Sequence, residues 1–362
     1  MTGRKIVSVV GARPQFVKAA ALSRRLRERF REVLVHTGQH YDVELSDLFF
    51  EELHIPRPDF TLGVGSKSHA RQTGEMMEKL EDLLAADAPD FVLIYGDTNS
   101  TLAGALAAAK LNLRIAHVEA GLRCFDLGTP EEVNRVVADR LSTILFAPTA
   151  TAVDNLKREG ITSGVFLVGD VMVDALLGQA ELARSRSRIL QDLKLSPKEY
   201  IVVTIHRPAN TDNPESLARV VEILMKVPSR VVFPVHPRTR EALRRQGFLE
   251  KLAGAAHILL LSPVGYLDML SLQTGARAVV TDSGGMQKEA YLLGVPCITL
   301  REETEWVETV EDGWNILVGT DVLSALSAIE TLEPAKPRSD WFGRGDASEK
   351  ITDVLVRFLE AP

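Results

Sequence analysis

The chain of 362 residues has only two cysteines, Cys124 and Cys297, far apart and in unrelated contexts. That excludes a disulfide framework and a cysteine-based metal site, and it fits a reducing cytoplasm. No apolar stretch approaches the roughly 18–20 residues that a membrane span requires, so a membrane is not expected as a partner. Long basic runs and basic–aromatic interleaving are missing too. With 42 basic and 49 acidic residues the net charge is −7, and nucleic acid is excluded as a partner class. A bound anion must therefore be met by local positive groups, not by the field of the whole molecule. The first residues, MTGRKIVSVVGARPQFVK, hold a short apolar run followed at once by Arg13 and Lys18. They read as a first strand and not as a signal peptide.

What is present is ordinary for a globular protein, with 45% apolar and 25% charged residues. The length suggests two or three domains. Short apolar runs alternate with helical patterns: Ile6–Val10, Glu32–His36, Phe91–Tyr95, Ile115–Val118, Ile144–Phe146 and Val165–Val168, then Ile201–Ile205, Val231–Val235, Ile258–Leu261, Ala278–Thr281 and Cys297–Leu300. Fully apolar strands separated by helices imply parallel sheets covered on both faces. Between the two series, Ala183–Tyr200 is polar and basic and reads as a helix plus connection at a domain junction. The two halves also open alike, each with a strand that stops at an Arg-Pro turn: Arg13-Pro14 and Arg207-Pro208. The expected fold is α/β, with two doubly wound Rossmann-like domains over 1–170 and 171–346 and a cleft between their carboxyl edges.

The most informative stretch is Asp282-Ser283-Gly284-Gly285, entered from an apolar strand and leaving into a helical segment that carries Glu289. A glycine turn at a helix start offers free N–H groups and a favourable dipole to an anion. Glu289, four residues beyond Gly285, stands about one helical turn further on, where a carboxylate can accept from a ribose diol. The combination suggests a nucleotide diphosphate; an ordinary strand-to-helix turn is the alternative. Acidic residues cluster at strand ends or just beyond. Asp97 either caps the helix that Thr98-Asn99-Ser100-Thr101 begins or faces a ligand. Glu119, straight after a buried strand, needs a partner or a cleft. Glu131 and Glu132, after Thr129-Pro130, suit a helix N-terminus or a site. His117 reads as a core histidine, whereas His206 and His236, at strand ends before Arg-Pro and Pro-Arg, read as ligand contacts. Arg13 is an anion binder within its turn, and Lys18 is a solvated or ligand-binding lysine. Carboxylates opposite a diphosphate site suit proton transfer at carbon coupled to loss of a nucleotide leaving group.

In order along the chain, GARPQFVK, GDTNSTLAGALAA, HVEAGLR, PEEVNR, LFAPT, HRPANTD, VHPR and TDSGGMQKEA resemble the non-hydrolysing UDP-N-acetylglucosamine 2-epimerases over residues 4–360. The resemblance implies the two-domain glycosyltransferase-B architecture, with the last helix, 347–362, packed back on the N-terminal domain. It implies a homodimer acting without a redox cofactor on a UDP-sugar, and the sequence itself shows no metal site: UDP is eliminated across C1–C2 to a glycal and adds back after C2 is reprotonated on the other face. By the same resemblance Asp97, Glu119, Glu131 and His206 are catalytic. Arg13, Lys18, Arg135, His236, Ser283, Gly284, Gly285 and Glu289 bind substrate. The family's R-P-E, H-R-x-E-N and T-E-R-P-E read Arg13-Pro14-Gln15, His206-Arg207-Pro208-Ala209-Asn210 and Thr304-Glu305-Trp306-Val307-Glu308 here. The last variant is similar to relatives that act on UDP-2,3-diacetamido-2,3-dideoxyglucuronic acid, the alternative substrate; a glycosyltransferase of the same fold is a further alternative. Gln39, His40 and Arg207 match a regulatory second UDP-sugar site, but Asp42 and Met76 depart from it, so activation by a second substrate molecule is expected to be weak or absent.

Overall fold

The computed structural model describes residues 3–39 and 57–360. The chain divides into two compact units, one running through Leu177 and resuming at Asp340, the other spanning Gly178–Ser339. The first unit holds a seven-stranded sheet: β1 (Lys5–Val10), β2 (Arg31–His36), β3 (Phe60–Thr61), β4 (Phe91–Tyr95), β5 (Ile115–Val118), β6 (Ile144–Ala147) and β7 (Val165–Leu167). Their order is β3-β2-β1-β4-β5-β6-β7, and every pairing is parallel. The central strands β4 and β5 are buried at every position, as expected of strands covered by helices on both faces. The edges are weaker: β3 is two exposed residues and β7 is only partly covered, which limits edge-to-edge pairing.

The second unit repeats the plan with β8 (Tyr200–Thr204), β9 (Arg230–Pro234), β10 (Ile258–Leu261), β11 (Ala278–Thr281), β12 (Cys297–Thr299) and β13 (Asn315–Leu317), ordered β10-β9-β8-β11-β12-β13. Strands β3 and β13 are the two without a counterpart in the apolar runs of the sequence. One is too short to show a pattern, and the other exposes its central Ile316.

Each sheet reverses its winding once, between β1 and β4 in the first unit and between β8 and β11 in the second. At such a switch point the helices after adjacent strands leave on opposite faces, so a crevice opens beyond the carboxyl ends. Small residues set the helix that follows β4 close to the sheet. Within Asn99–Lys110, Ala103, Gly104, Ala105, Ala107 and Ala108 are all buried, and a Cβ on Gly104 would stand 3.0 Å from Ile94 Cγ2.

The chain first passes between units inside the helix Val171–Arg186 and returns at Ser339–Asp340, outside any helix or strand. The last helix, Ala347–Glu360, packs against Arg13–Arg29 in the first unit. Its first-turn N–H groups of Ala347 and Ser348 donate to the Asp174 carboxylate at 3.3 and 2.9 Å, satisfying donors that a helix start leaves open. Phe358 meets Phe166 edge-on with ring centroids 5.8 Å apart. Among the described residues no helix is long and apolar enough to cross a membrane, and no group of three or more His, Cys, Asp or Glu could hold a metal.

Candidate active site

In the first unit the sequence-predicted residues gather at the carboxyl ends of β1, β4 and β5 and on the helix Pro130–Leu141. The turn after β1 is tied down by Gln15. Its Oε1 accepts from Gly11 N at 2.8 Å and Ala12 N at 3.1 Å, and its Nε2 donates to Tyr95 O at 2.7 Å and Thr101 Oγ1 at 3.0 Å. The buried amide thus has an acceptor for the turn and a donor for the end of β4 in one side chain, which explains why glutamine suits this place. Arg13 opens the helix Arg13–Arg29; its side chain lies outside the described part of the structure.

Asp97 does not cap the helix Asn99–Lys110. Thr98 does, accepting from Thr101 N. Asp97 instead takes two bonds on Oδ2 from Arg135, Nε at 3.0 Å and Nη2 at 2.6 Å. The same guanidinium reaches Glu132 Oε2 from Nη1 at 2.7 Å. Glu131 and Glu132 share the first turn behind Pro130, yet they differ in kind. Glu132 is buried and also accepts from Cys124 N at 3.1 Å and Phe125 N at 2.9 Å, while Glu131 is exposed. Burial would raise the Glu132 carboxyl, but those N–H groups and Arg135 hold it below the usual carboxylate range. Glu132 is scaffolding that sequence reasoning left beside Glu131 as one of a pair; only burial separates the two.

Glu119 follows β5 in the left-handed region, at φ 75°, a conformation that β-carbon-bearing residues hold only when their surroundings compel it. Its carboxylate is paired with Lys18, whose side chain is 9% exposed. Lys18 is therefore not a solvated lysine. Gly96, at φ 60°, lies beneath this pair: a Cβ there would come within 3.2 Å of Glu119 Oε2. His117 is fully buried, as the sequence suggested.

In the second unit the switch point is organised by Asp282, a fully buried carboxylate that sequence reasoning passed over although it ends an apolar strand. It accepts from His206 N (3.1 and 3.2 Å to its two oxygens), from Arg207 N at 3.0 Å and from Asn210 Nδ2 at 3.0 Å. This cage holds the turn after β8 against β11 and leaves the His206 ring exposed. His236, two residues beyond β9, caps Pro237–Arg245, accepting from Arg238 N at 3.3 Å. Its ring lies 6.0 Å from that of His206. Burial first, then the neighbouring His206 and Arg238, push His236 below its ordinary value.

Ser283 caps the helix Gly284–Leu293, with Met286 N donating to its hydroxyl at 3.5 Å. A Cβ on Gly284 would fall 1.9 Å from Glu305 Oε1, the end of a part-exposed side chain that would have to move aside. Glu289 accepts from Gln273 Nε2 at 2.9 Å and Tyr266 Oη at 3.2 Å. Where an arginine was expected, Trp306 offers its ring to Lys288, whose Nζ stands 4.1 Å from the centroid. Behind this loop Gln287 Oε1 accepts from Thr304 Oγ1 at 2.6 Å and Asn315 Nδ2 at 3.2 Å. Of the regulatory-site positions, His40 and Asp42 lie outside the described residues. Gln39 is bonded to Ser100, and Met76 is fully buried with its sulfur 3.7 Å from Ser100 Oγ. Arg207 faces Glu305 at 4.0 Å.

Two doubly wound parallel sheets, one with carboxylates at its switch point and one with a capped glycine turn and two histidines, define a two-unit α/β protein of the glycosyltransferase-B type. The chain belongs to the UDP-N-acetylglucosamine 2-epimerase family, whose profile matches residues 23–356. A relative from Methanococcus maripaludis, described as a UDP-N-acetylglucosamine 2-epimerase homolog, is 53% identical over 97% of this chain and 99% of its own length. The UDP-2,3-diacetamido-2,3-dideoxy-D-glucuronate 2-epimerase of Pseudomonas aeruginosa is 43% identical over 98% of this chain and 99% of its own. The crystal structure of the Methanocaldococcus jannaschii UDP-GlcNAc 2-epimerase in complex with UDP-GlcNAc and UDP superposes with a TM-score of 0.84 at 41% identity, covering 98% of this chain and 99% of that one.

Proposed function

We propose that this protein inverts C2 of a UDP-2-acetamido sugar, converting UDP-N-acetylglucosamine to UDP-N-acetylmannosamine. A base takes the C2 proton, the C2–H pair becomes the C1=C2 bond, and the C1–O pair leaves on the β-phosphate oxygen of UDP. The return step delivers a proton to the opposite face of C2 while that oxygen re-forms the bond to C1. The chemistry is redox-neutral and needs no cofactor. We assign Asp97, Glu119, Glu131 and His206 to proton transfer and charge stabilisation. Ser283, Gly284 and Gly285 meet the departing diphosphate with helix N-terminal N–H groups, with Glu289 on the ribose and Arg13, Lys18, Arg135 and His236 as further substrate contacts. The observation that carries this reading is the electrostatic sorting of the carboxylates. Asp97 and Glu119 are held by Arg135 and Lys18 at adjacent strand ends, while Glu131 stays exposed.

A second reading, the 2-epimerase of UDP-2,3-diacetamido-2,3-dideoxyglucuronate, is favoured by the likeness to the Pseudomonas aeruginosa enzyme and by Trp306. One experiment separates them. Each UDP-sugar is incubated with the protein in D₂O, and C2 deuteration, epimer ratio and free UDP are followed by NMR. Deuterium at C2 with epimer and without stoichiometric UDP supports the reading for whichever sugar reacts; no deuterium with either sugar overturns it. We further propose a homodimer, which sedimentation tests, and a cytoplasmic setting, consistent with the unpaired cysteines.

A further inference from the structure

Behind the first unit's carboxylates lies a buried chain of charges. His117 Nε2 stands 2.8 Å from Gly96 O and Nδ1 2.7 Å from Asp139 Oδ1, both side chains being 0% exposed. Asp139 Oδ2 accepts from Gly121 N at 3.0 Å and pairs with Arg123 Nη1 at 2.7 Å. Arg123 continues to Glu159 through Nε and Nη2 at 2.7 and 2.9 Å. A carbonyl oxygen only accepts, so Nε2 donates to Gly96. Asp139 Oδ2 already takes Gly121 N and the Arg123 guanidinium, donors that favour its ionised form over a neutral acid. Nδ1 therefore donates as well.

We propose that His117 is a positioning residue whose ring donates from both nitrogens, fixing the Gly96 peptide from which Asp97 follows and beneath which no side chain presses on the Glu119–Lys18 pair. Asp139 closes the device from the other side, because it sits on the same helix as Glu131, Glu132 and Arg135 and sets that helix against the turn after β5. The role rests on the proposed C2 chemistry of Asp97 and Glu119; the hydrogen-bond pattern does not.

The test has two arms. In ¹⁵N-histidine-labelled protein, long-range ¹H–¹⁵N spectra at neutral pH are expected to show both His117 ring nitrogens protonated, with the assignment made by loss of the signals in His117→Gln. One unprotonated nitrogen overturns the proposal. In the second arm, His117→Phe is expected to lose about 100-fold in kcat, the cost of a displaced catalytic group, while KM changes less than about threefold. His117→Gln, which keeps a donor for Gly96, is expected to recover about tenfold of that loss. UDP affinity by calorimetry, read on the second unit, stays at the wild-type value in both. A folded His117→Phe with wild-type kcat, or a loss carried by KM, overturns the proposal. If His117→Phe does not fold, His117→Gln and the spectra decide. A wild-type protein that turns over neither UDP-sugar refutes the proposed substrates instead and leaves the spectra to judge His117.

Discussion

Replacing Asp282 by asparagine changes one atom and tests whether a buried charge holds the His206 turn. The carboxylate receives N–H groups from His206, Arg207 and Asn210, all at 3.0–3.2 Å. Hydrogen bonds to an ionised acceptor contribute roughly 1.5–3 kcal/mol, against roughly 0.5–1.5 for neutral ones. Three bonds that each lose about 1 kcal/mol therefore give a destabilisation of about 3 kcal/mol. The new amide must also turn its NH₂ away from Oδ2, where Arg207 N, Asn210 Nδ2 and the longer bond of His206 N all point, and so removes the shorter His206 bond to Oδ1. For a unit of this size about 3 kcal/mol lowers Tm by roughly 6–12 °C. Displacement of His206 is expected to cut kcat by about 10–100-fold. Thermal unfolding followed by the fluorescence of Trp306 and Trp314, both in the second unit, gives the first number, and epimer formation followed by NMR gives the second. If Asp282→Asn melts within about 2 °C of wild type and keeps kcat within about threefold, the charge does not organise this turn and the reasoning fails.

Gly121→Ala should be among the most damaging small changes: Gly121 has φ 85°, and a Cβ would stand 2.4 Å from the main-chain oxygen of Ala152. The left-handed backbone alone costs about 1–2 kcal/mol, so a soluble variant with unchanged Tm would refute the packing described. The depressed carboxyls of Glu132 and Asp139 bind protons less readily folded than unfolded. Their contribution to stability is thus complete only above about pH 5, beyond the unfolded carboxyl values, and is lost as the pH falls through their folded values. Urea titrations between pH 5 and 3 should show a slope that is shallower in Glu132→Gln, and equal slopes would contradict the assignment. With Met76 buried in the core where a regulatory cation was expected, initial velocity should rise linearly with substrate at low concentration; a sigmoidal curve would sink this reading.

The repeated strand–helix pattern was legible because strands buried on both faces must be continuously apolar, as β4 and β5 are, and such runs are visible without any partner. The turns at Arg13-Pro14, Asp97 and Ser283-Gly284-Gly285 were legible for a related reason, since glycines and charges that interrupt apolar strands stand out locally. Strands β3 and β13 were not, being short edges whose pairing comes only from a neighbour. Sequence could not separate Glu131 from Glu132, because both suit the first turn of a helix. It could not see Asp282 or Asp139 as hubs, because a buried carboxylate is identified by the donors converging on it from distant segments. The sequence by itself determined the fold class, the family and the list of polar groups at strand ends. The tertiary structure alone decided which of those groups are spent on one another, as in Lys18–Glu119, Arg135–Asp97 and His117–Asp139, and which remain exposed, as Glu131 does. The physical reason is that pairing and desolvation are properties of neighbours in space, and chain order does not carry them.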